Sequence, residues 1–89
     1  MFNKRRSEIE IMGDILHLSQ SGARKTQILY QSNMSFSQLQ NYLSFLIEND
    51  LLKEDKPMES TKNSNKVYIT TRKGKDFLKD VSNIMSYFE

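Results

Sequence analysis

Ser37, Gln38, Asn41 and Ser44 recur in mid-chain at spacings of one, three and three residues. Placed on a helix at 100° per residue, they run along the outward side of its first two turns. All four are uncharged, and each can both donate and accept a hydrogen bond. An ordinary solvated helix would carry Lys and Glu there. An asparagine or glutamine amide can bond adenine at two points, and a serine hydroxyl reads bases less selectively, so this face suits the edges of a DNA groove. A plain solvent face fits the same residues equally well; the surroundings must decide.

Catalytic chemistry finds no comparable set. His17 is the only histidine, and its place beside an apolar stripe favours a structural or surface role. The acids are scattered, mostly near basic residues at helix spacing, and read as solvated faces. The sequence holds no Gly-rich phosphate loop, nucleophile motif or metal cluster. The expectation is therefore no enzyme, no cofactor, no metal and no small-molecule ligand.

The polar face is positioned by Ser35–Leu52, SFSQLQNYLSFLIENDLL. Ser35 and Gln38 have capping-box spacing, which starts a helix at about Phe36. Phe36, Leu39, Tyr42, Leu43, Leu46 and Ile47 share one broad apolar arc; Ser37, Gln40, Asn41, Ser44 and Glu48 lie opposite. Lys25–Gln31 reads as a short helix with Ile28 and Leu29 inward. The turn Ser32-Asn33-Met34 follows, with Met34 plugging its corner. Two helices joined so tightly, the second with a polar face, form a helix-turn-helix pattern.

The flanking elements complete a small domain. Ser7 and Glu10 repeat the capping-box spacing and open a first helix to about Ser19, which Ser21-Gly22 ends. Its apolar residues cover half the circumference, so Ile11 and Leu18 are expected to face the last helix or a second subunit. Leu51–Glu54 and Lys66–Thr70 read as paired strands around a loop at 55–66. Either Val67 and Ile69 or Tyr68 and Thr70 can point inward. Thr71 is a good N-cap for a final helix from Arg72 to about Phe88. Gly74 in its first turn costs ~1 kcal/mol relative to Ala, which implies close backbone packing.

Composition sets the outer limits. With 89 residues, 37% of them hydrophobic, the chain can form one small core. The expected layout is a basic arm at 1–6 and a single domain at 7–89, its wing about 51–70 and its last helix about 72–88. The lack of cysteine excludes a disulfide scaffold and thiolate metal sites and fits a reducing cytosol. No apolar run approaches the ~18 residues of a membrane span. A net charge of +2 favours nucleic acid only mildly.

The order helix, helix-turn-helix, two-stranded wing, helix is that of the winged helix-turn-helix: mainly α with a small β-hairpin. Over residues 7–88 the chain resembles the small archaeal winged-helix DNA-binding regulators, whose relatives include dimeric chromatin proteins with a C-terminal coiled coil. The resemblance is carried by KTQILYQSNMSFSQLQNYLSFLIENDLL and, after the wing, by VYITTRKGKDFL. It implies double-stranded DNA binding, residues 35–49 as recognition helix and the C-terminal helix as dimerisation element. Glu54, Asp55 and Glu59 beside the wing lysines depart from that pattern and work against a wing–phosphate contact. A last helix ending at Glu89 is too short for a long coiled coil, so a compact dimer is expected.

Roles follow by position. Ser37, Gln38, Asn41 and Ser44 are the base-reading candidates, and Gln40, nearer the core boundary, is a backbone candidate. Residues 35–52 contain no Lys or Arg, so the cations for DNA backbone must come from Arg5 and Arg6 of the arm, Arg24 and Lys25 before the short helix, and Lys62 and Lys66 of the wing. Val81, Ile84, Met85 and Phe88 form an apolar strip near the chain end which, with Ile11 and Leu18, is the candidate dimer interface. The sequence thus points to a sequence-specific DNA-binding transcriptional regulator, homodimeric, cytoplasmic and nucleoid-associated. The competing account is a winged helix used as a protein–protein module in a larger assembly.

Overall fold

The computed structural model describes residues 8–55 and 66–88. Their order is α1 (Glu8–Leu18), α2 (Lys25–Ser32), α3 (Phe36–Glu48), β1 (Leu52–Asp55), β2 (Val67–Thr70) and α4 (Arg72–Met85), closed by a 3₁₀ turn at Ser86–Phe88. The basic arm, the Ser7 cap and the wing tip with Glu59 and Lys62 lie outside the described residues.

The helix boundaries have local causes. The capping box forms: Ser35 Oγ accepts from the Gln38 N–H, and Gln38 Oε1 accepts from the Ser35 N–H, both at 3.2 Å. Asn33 ends α2 in the left-handed region, φ 55°, with its N–H bonded to the Leu29 carbonyl, a conformation asparagine tolerates better than most residues. Gly22 turns the chain out of α1 at φ 98°. The last helix is shorter than its apolar period suggests, because regular α-helix stops at Met85 and tightens into the 3₁₀ turn.

One core joins these elements. Ile15 and Leu16 of α1, Ile28 of α2, Leu39, Leu43 and Leu46 of α3 and Leu52 of β1 are fully buried. Met34 packs against this cluster from the turn, as do Ile11, Met12, Tyr42, Phe77 and Leu78. Ile11 is thus partly used by its own core. Phe36 departs from the expected arc: it is 60% exposed, since it stands at the very start of α3, ahead of the buried Leu39.

The strands pair antiparallel, Leu52 with Thr70, Lys53 with Ile69, Glu54 with Tyr68 and Asp55 with Val67. Tyr68 and Thr70 are the inward pair. The Thr70 hydroxyl is satisfied there, donating to the Leu16 carbonyl at 2.6 Å. Burial, and next the Glu54 carboxylate beside it, push the Tyr68 phenol up from its ordinary pKa. The sequence had not suggested that Ala23 pairs with the other edge of β2, exchanging two backbone hydrogen bonds with Tyr68 at 2.9 and 2.8 Å.

The end of α3 and the start of α4 are tied together over a few residues. The Leu51 N–H bonds the Leu46 carbonyl, and the Thr71 N–H bonds the Leu51 carbonyl at 3.1 Å. Thr71 Oγ1 donates to the Asp50 carbonyl at 2.6 Å and accepts from the Gly74 N–H at 3.0 Å. Gly74 is buried against this corner: a Cβ there would lie 2.2 Å from the Leu51 oxygen and 2.6 Å from Thr70 Cγ2. Helix propensity alone would gain ~1 kcal/mol from alanine, but a collision with anchored backbone costs more, of the order of overpacking, ~1–3 kcal/mol. Gly74→Ala should therefore lower the urea midpoint with its m-value unchanged. A midpoint equal to or above wild type would mean α4 does not approach Leu51 this closely.

Candidate nucleic-acid interface

With Leu39, Leu43 and Leu46 anchored in the core, α3 turns Ser37, Gln38, Gln40, Asn41 and Ser44 to solvent, all of them exposed. The four base-reading candidates are thus brought onto one accessible surface. They are not equally free. Gln38 Oε1 is occupied by the Ser35 N–H, so a two-point adenine contact by Gln38 requires the cap to open. Asn41 stands near the centre of the outward face.

The flanks differ in how they place positive charge. Lys25, the first residue of α2, reaches across to α3. Its ammonium sits 4.6 Å from the centroid of the Phe36 ring and donates to Gln40 Oε1. A cation over an aromatic face is attracted by the ring quadrupole, so the exposed Phe36 ring and the Gln40 amide hold one charge at the edge of the polar face. Arg24 is exposed at the N-cap of α2, in extended backbone and without a side-chain cap hydrogen bond. Lys66 pairs with Glu54 across the base of the wing at 3.4 Å, so its charge is partly offset. Arg5, Arg6 and Lys62 lie outside the described residues.

On the other flank of α3, a hollow opens towards α1, lined by Glu8, Met12, Gln38, Asn41, Tyr42 and Phe45. Burial, and then the Glu8 charge, raise the Tyr42 pKa. Phe45 was no part of the sequence-derived site, yet it is 50% exposed and lines this hollow together with Asn41. Its place outside the apolar arc, four residues after Asn41, was the signal for it. Lys73 was also missed: it donates to the Asn49 carbonyl at 3.0 Å, placing a cation at the C-terminal end of α3, where the helix dipole favours one.

The candidate dimer residues fall into two groups. Val81 faces α1, its Cγ1 being 3.6 Å from where a Gly13 Cβ would stand, and Met85 is half-buried in the same cleft. Ile84 and Phe88 are exposed, at 50% and 59%. Leu18 and Ile11 are half-buried on α1. Among the described residues, no group of His, Asp and Glu gathers as a metal site, and no helix is long and apolar enough to cross a membrane.

This architecture is matched in known proteins. The winged helix-turn-helix family pattern covers residues 5–88. The chain belongs to the winged helix-turn-helix family. An uncharacterized protein of Methanocaldococcus jannaschii, MJ0287, is 35% identical over 66 residues, which span 72% of this chain and 68% of that protein. The crystal structure of Sso10a-2, a DNA-binding protein from Sulfolobus solfataricus, superposes with a TM-score of 0.77 at 25% identity, covering 92% of this chain and 81% of that one. Both of these relatives are archaeal, as the sequence resemblance implied.

The capping box sits on the same surface as the candidate reading residues, so stability and recognition meet at Gln38. Ser35→Ala should cost ~0.5–2 kcal/mol of stability, the usual range for losing such a cap. Gln38→Ala should also destabilise, because it removes the return bond to the Ser35 N–H. Thermal unfolding followed by circular dichroism checks both. A Gln38→Ala protein as stable as wild type would show the side chain to be free for other contacts.

Proposed function

We propose that the protein binds double-stranded DNA sequence-specifically through α3, as a homodimer, and acts as a transcriptional regulator associated with the nucleoid in the cytoplasm. The observation that carries this is the uncharged amide and hydroxyl face of α3, turned outward by a winged helix-turn-helix domain with Lys25 fixed at its edge. The structural likeness to a DNA-binding protein supports it. In such folds the second helix of the helix-turn-helix enters the major groove while the first crosses the backbone. Asn41 and Ser44 then face base edges. Lys25, Arg24 and Gln40 flank the phosphates, and the outward end of α4 joins a second copy.

Base reading and affinity separate by residue. Asn41→Ala should cost ~1–3 kcal/mol on the preferred duplex and little on random DNA. Lys25→Ala should weaken both about equally and flatten the salt dependence, since each phosphate neutralised releases counterions. Fluorescence anisotropy on both duplexes across a salt series measures this. An unchanged preference after Asn41→Ala would move the reading face elsewhere. Absence of salt-dependent duplex binding would favour the protein–protein module, to which the Glu54–Lys66 pair at the wing base is better suited.

The dimer rests on Ile84, a large apolar side chain that is 50% exposed near the end of α4. Together with the half-buried Val81 and Met85 beside it, it suits a short antiparallel helix pair. Two-fold symmetry would present two copies of α3, and the preferred site would be a palindrome with half-site centres about one helical turn, ~34 Å, apart. Light scattering should give the wild type twice the chain mass and Ile84→Glu/Phe88→Glu the mass of one chain. A wild type that stays monomeric with and without DNA would remove both the dimer and the palindrome.

A further inference from the structure

Two aromatic rings are exposed on α3: Phe36, which Lys25 covers at the edge of the polar face, and Phe45. Phe45 stands four residues beyond Asn41 and seven beyond Gln38, so the three follow one line along the helix. Its ring is 50% exposed, although Leu39, Leu43 and Leu46 of the same helix are buried. It lines a hollow together with Met12 and Tyr42 but also with Glu8, Gln38 and Asn41, so a half-exposed apolar ring is set beside Asn41. An aromatic ring in that position has no hydrogen-bond capacity for phosphate or base amides. What it can recognise in a DNA groove is an apolar projection, and the major groove offers one among the four bases, the 5-methyl group of thymine.

Building on the DNA reading of α3, we propose that Phe45 is a specificity-determining residue that packs against a thymine methyl, one helical turn beyond the base pair faced by Asn41. The rise per turn of an α-helix, ~5.4 Å, is enough to carry the contact from one base pair to the next or the one after, so the preferred half-site contains a thymine within two base pairs of the position that depends on Asn41. Packing one methyl group out of water is worth about 0.8 kcal/mol, a fourfold change in affinity.

The test uses the full chain and a duplex selected from random sequences, in which each thymine is replaced in turn by deoxyuridine. Deoxyuridine keeps every hydrogen-bonding group and loses only the methyl. Anisotropy titrations should show one thymine per half-site whose replacement weakens wild type about fourfold. With Phe45→Ala the same replacement should have no effect, and with Phe45→Leu the penalty should largely return. Melting curves for both variants check that they fold. Salt-dependent binding with no uracil penalty at any position, or a penalty undiminished in Phe45→Ala, overturns the Phe45 assignment alone. Loss of dimer mass on Phe45→Ala also overturns it and assigns the ring to the subunit contact. No salt-dependent duplex binding by wild type overturns the DNA reading and this assignment together.

Discussion

The geometry of the domain depends on one close approach, the backbone of Leu51 against the first turn of α4. A helix backbone can come that near to a carbonyl only where a side chain is missing, and Gly74 is where it comes. Around this contact, the three carbonyls that follow α3 are each taken up. The Asn49 oxygen receives the Lys73 ammonium, the Asp50 oxygen the Thr71 hydroxyl, and the Leu51 oxygen the Thr71 N–H. Polar backbone just past a helix C-terminus needs partners, and here the start of α4 supplies them. Thr71, Lys73 and Gly74 thus act as one device, which gives the T-x-K-G run after the wing a physical meaning.

That corner also bears on the candidate interface. A helix whose outward side chains address a ligand must not roll or slide, because 100° separates neighbouring side chains. The roll of α3 is set by Leu39, Leu43 and Leu46. Its start is set by the Ser35 capping box and its end by the tie to α4. Three separate constraints hold one helix.

Charge is distributed unlike the apolar contacts. The first turns of the outward face of α3, from Ser37 to Ser44, are neutral, and a cation fixed beside them, Lys25, comes from a different helix. Direction-dependent hydrogen bonding and long-range attraction are therefore carried by different elements. Separating them lets base contacts be exacting while the attraction stays modest, in keeping with a net charge of only +2. The α1–α4 side of the molecule is divided too: Val81 serves the domain against Gly13, whereas Ile84 of the same helix is 50% exposed.

Local and periodic features were legible in the sequence because their causes lie within a few residues. The Ser35–Gln38 box, the Gly22 and Asn33 turns, the buried arc of α3 and the Thr71 cap all follow from spacing and backbone chemistry, and the close packing at Gly74 was implied by its cost in a helix. The inward choice between Val67 and Tyr68 was not legible, since alternation alone permits both. It was decided by the Leu16 carbonyl 54 positions away, which takes the Thr70 hydroxyl, and by Ala23 pairing on the far edge of β2. Tertiary contact likewise placed Lys25 over Phe36, occupied Gln38 with its own cap and left Phe45 exposed beside Asn41. A helical wheel gives the direction of each side chain, but which neighbour fills the space in that direction depends on elements far away in the chain.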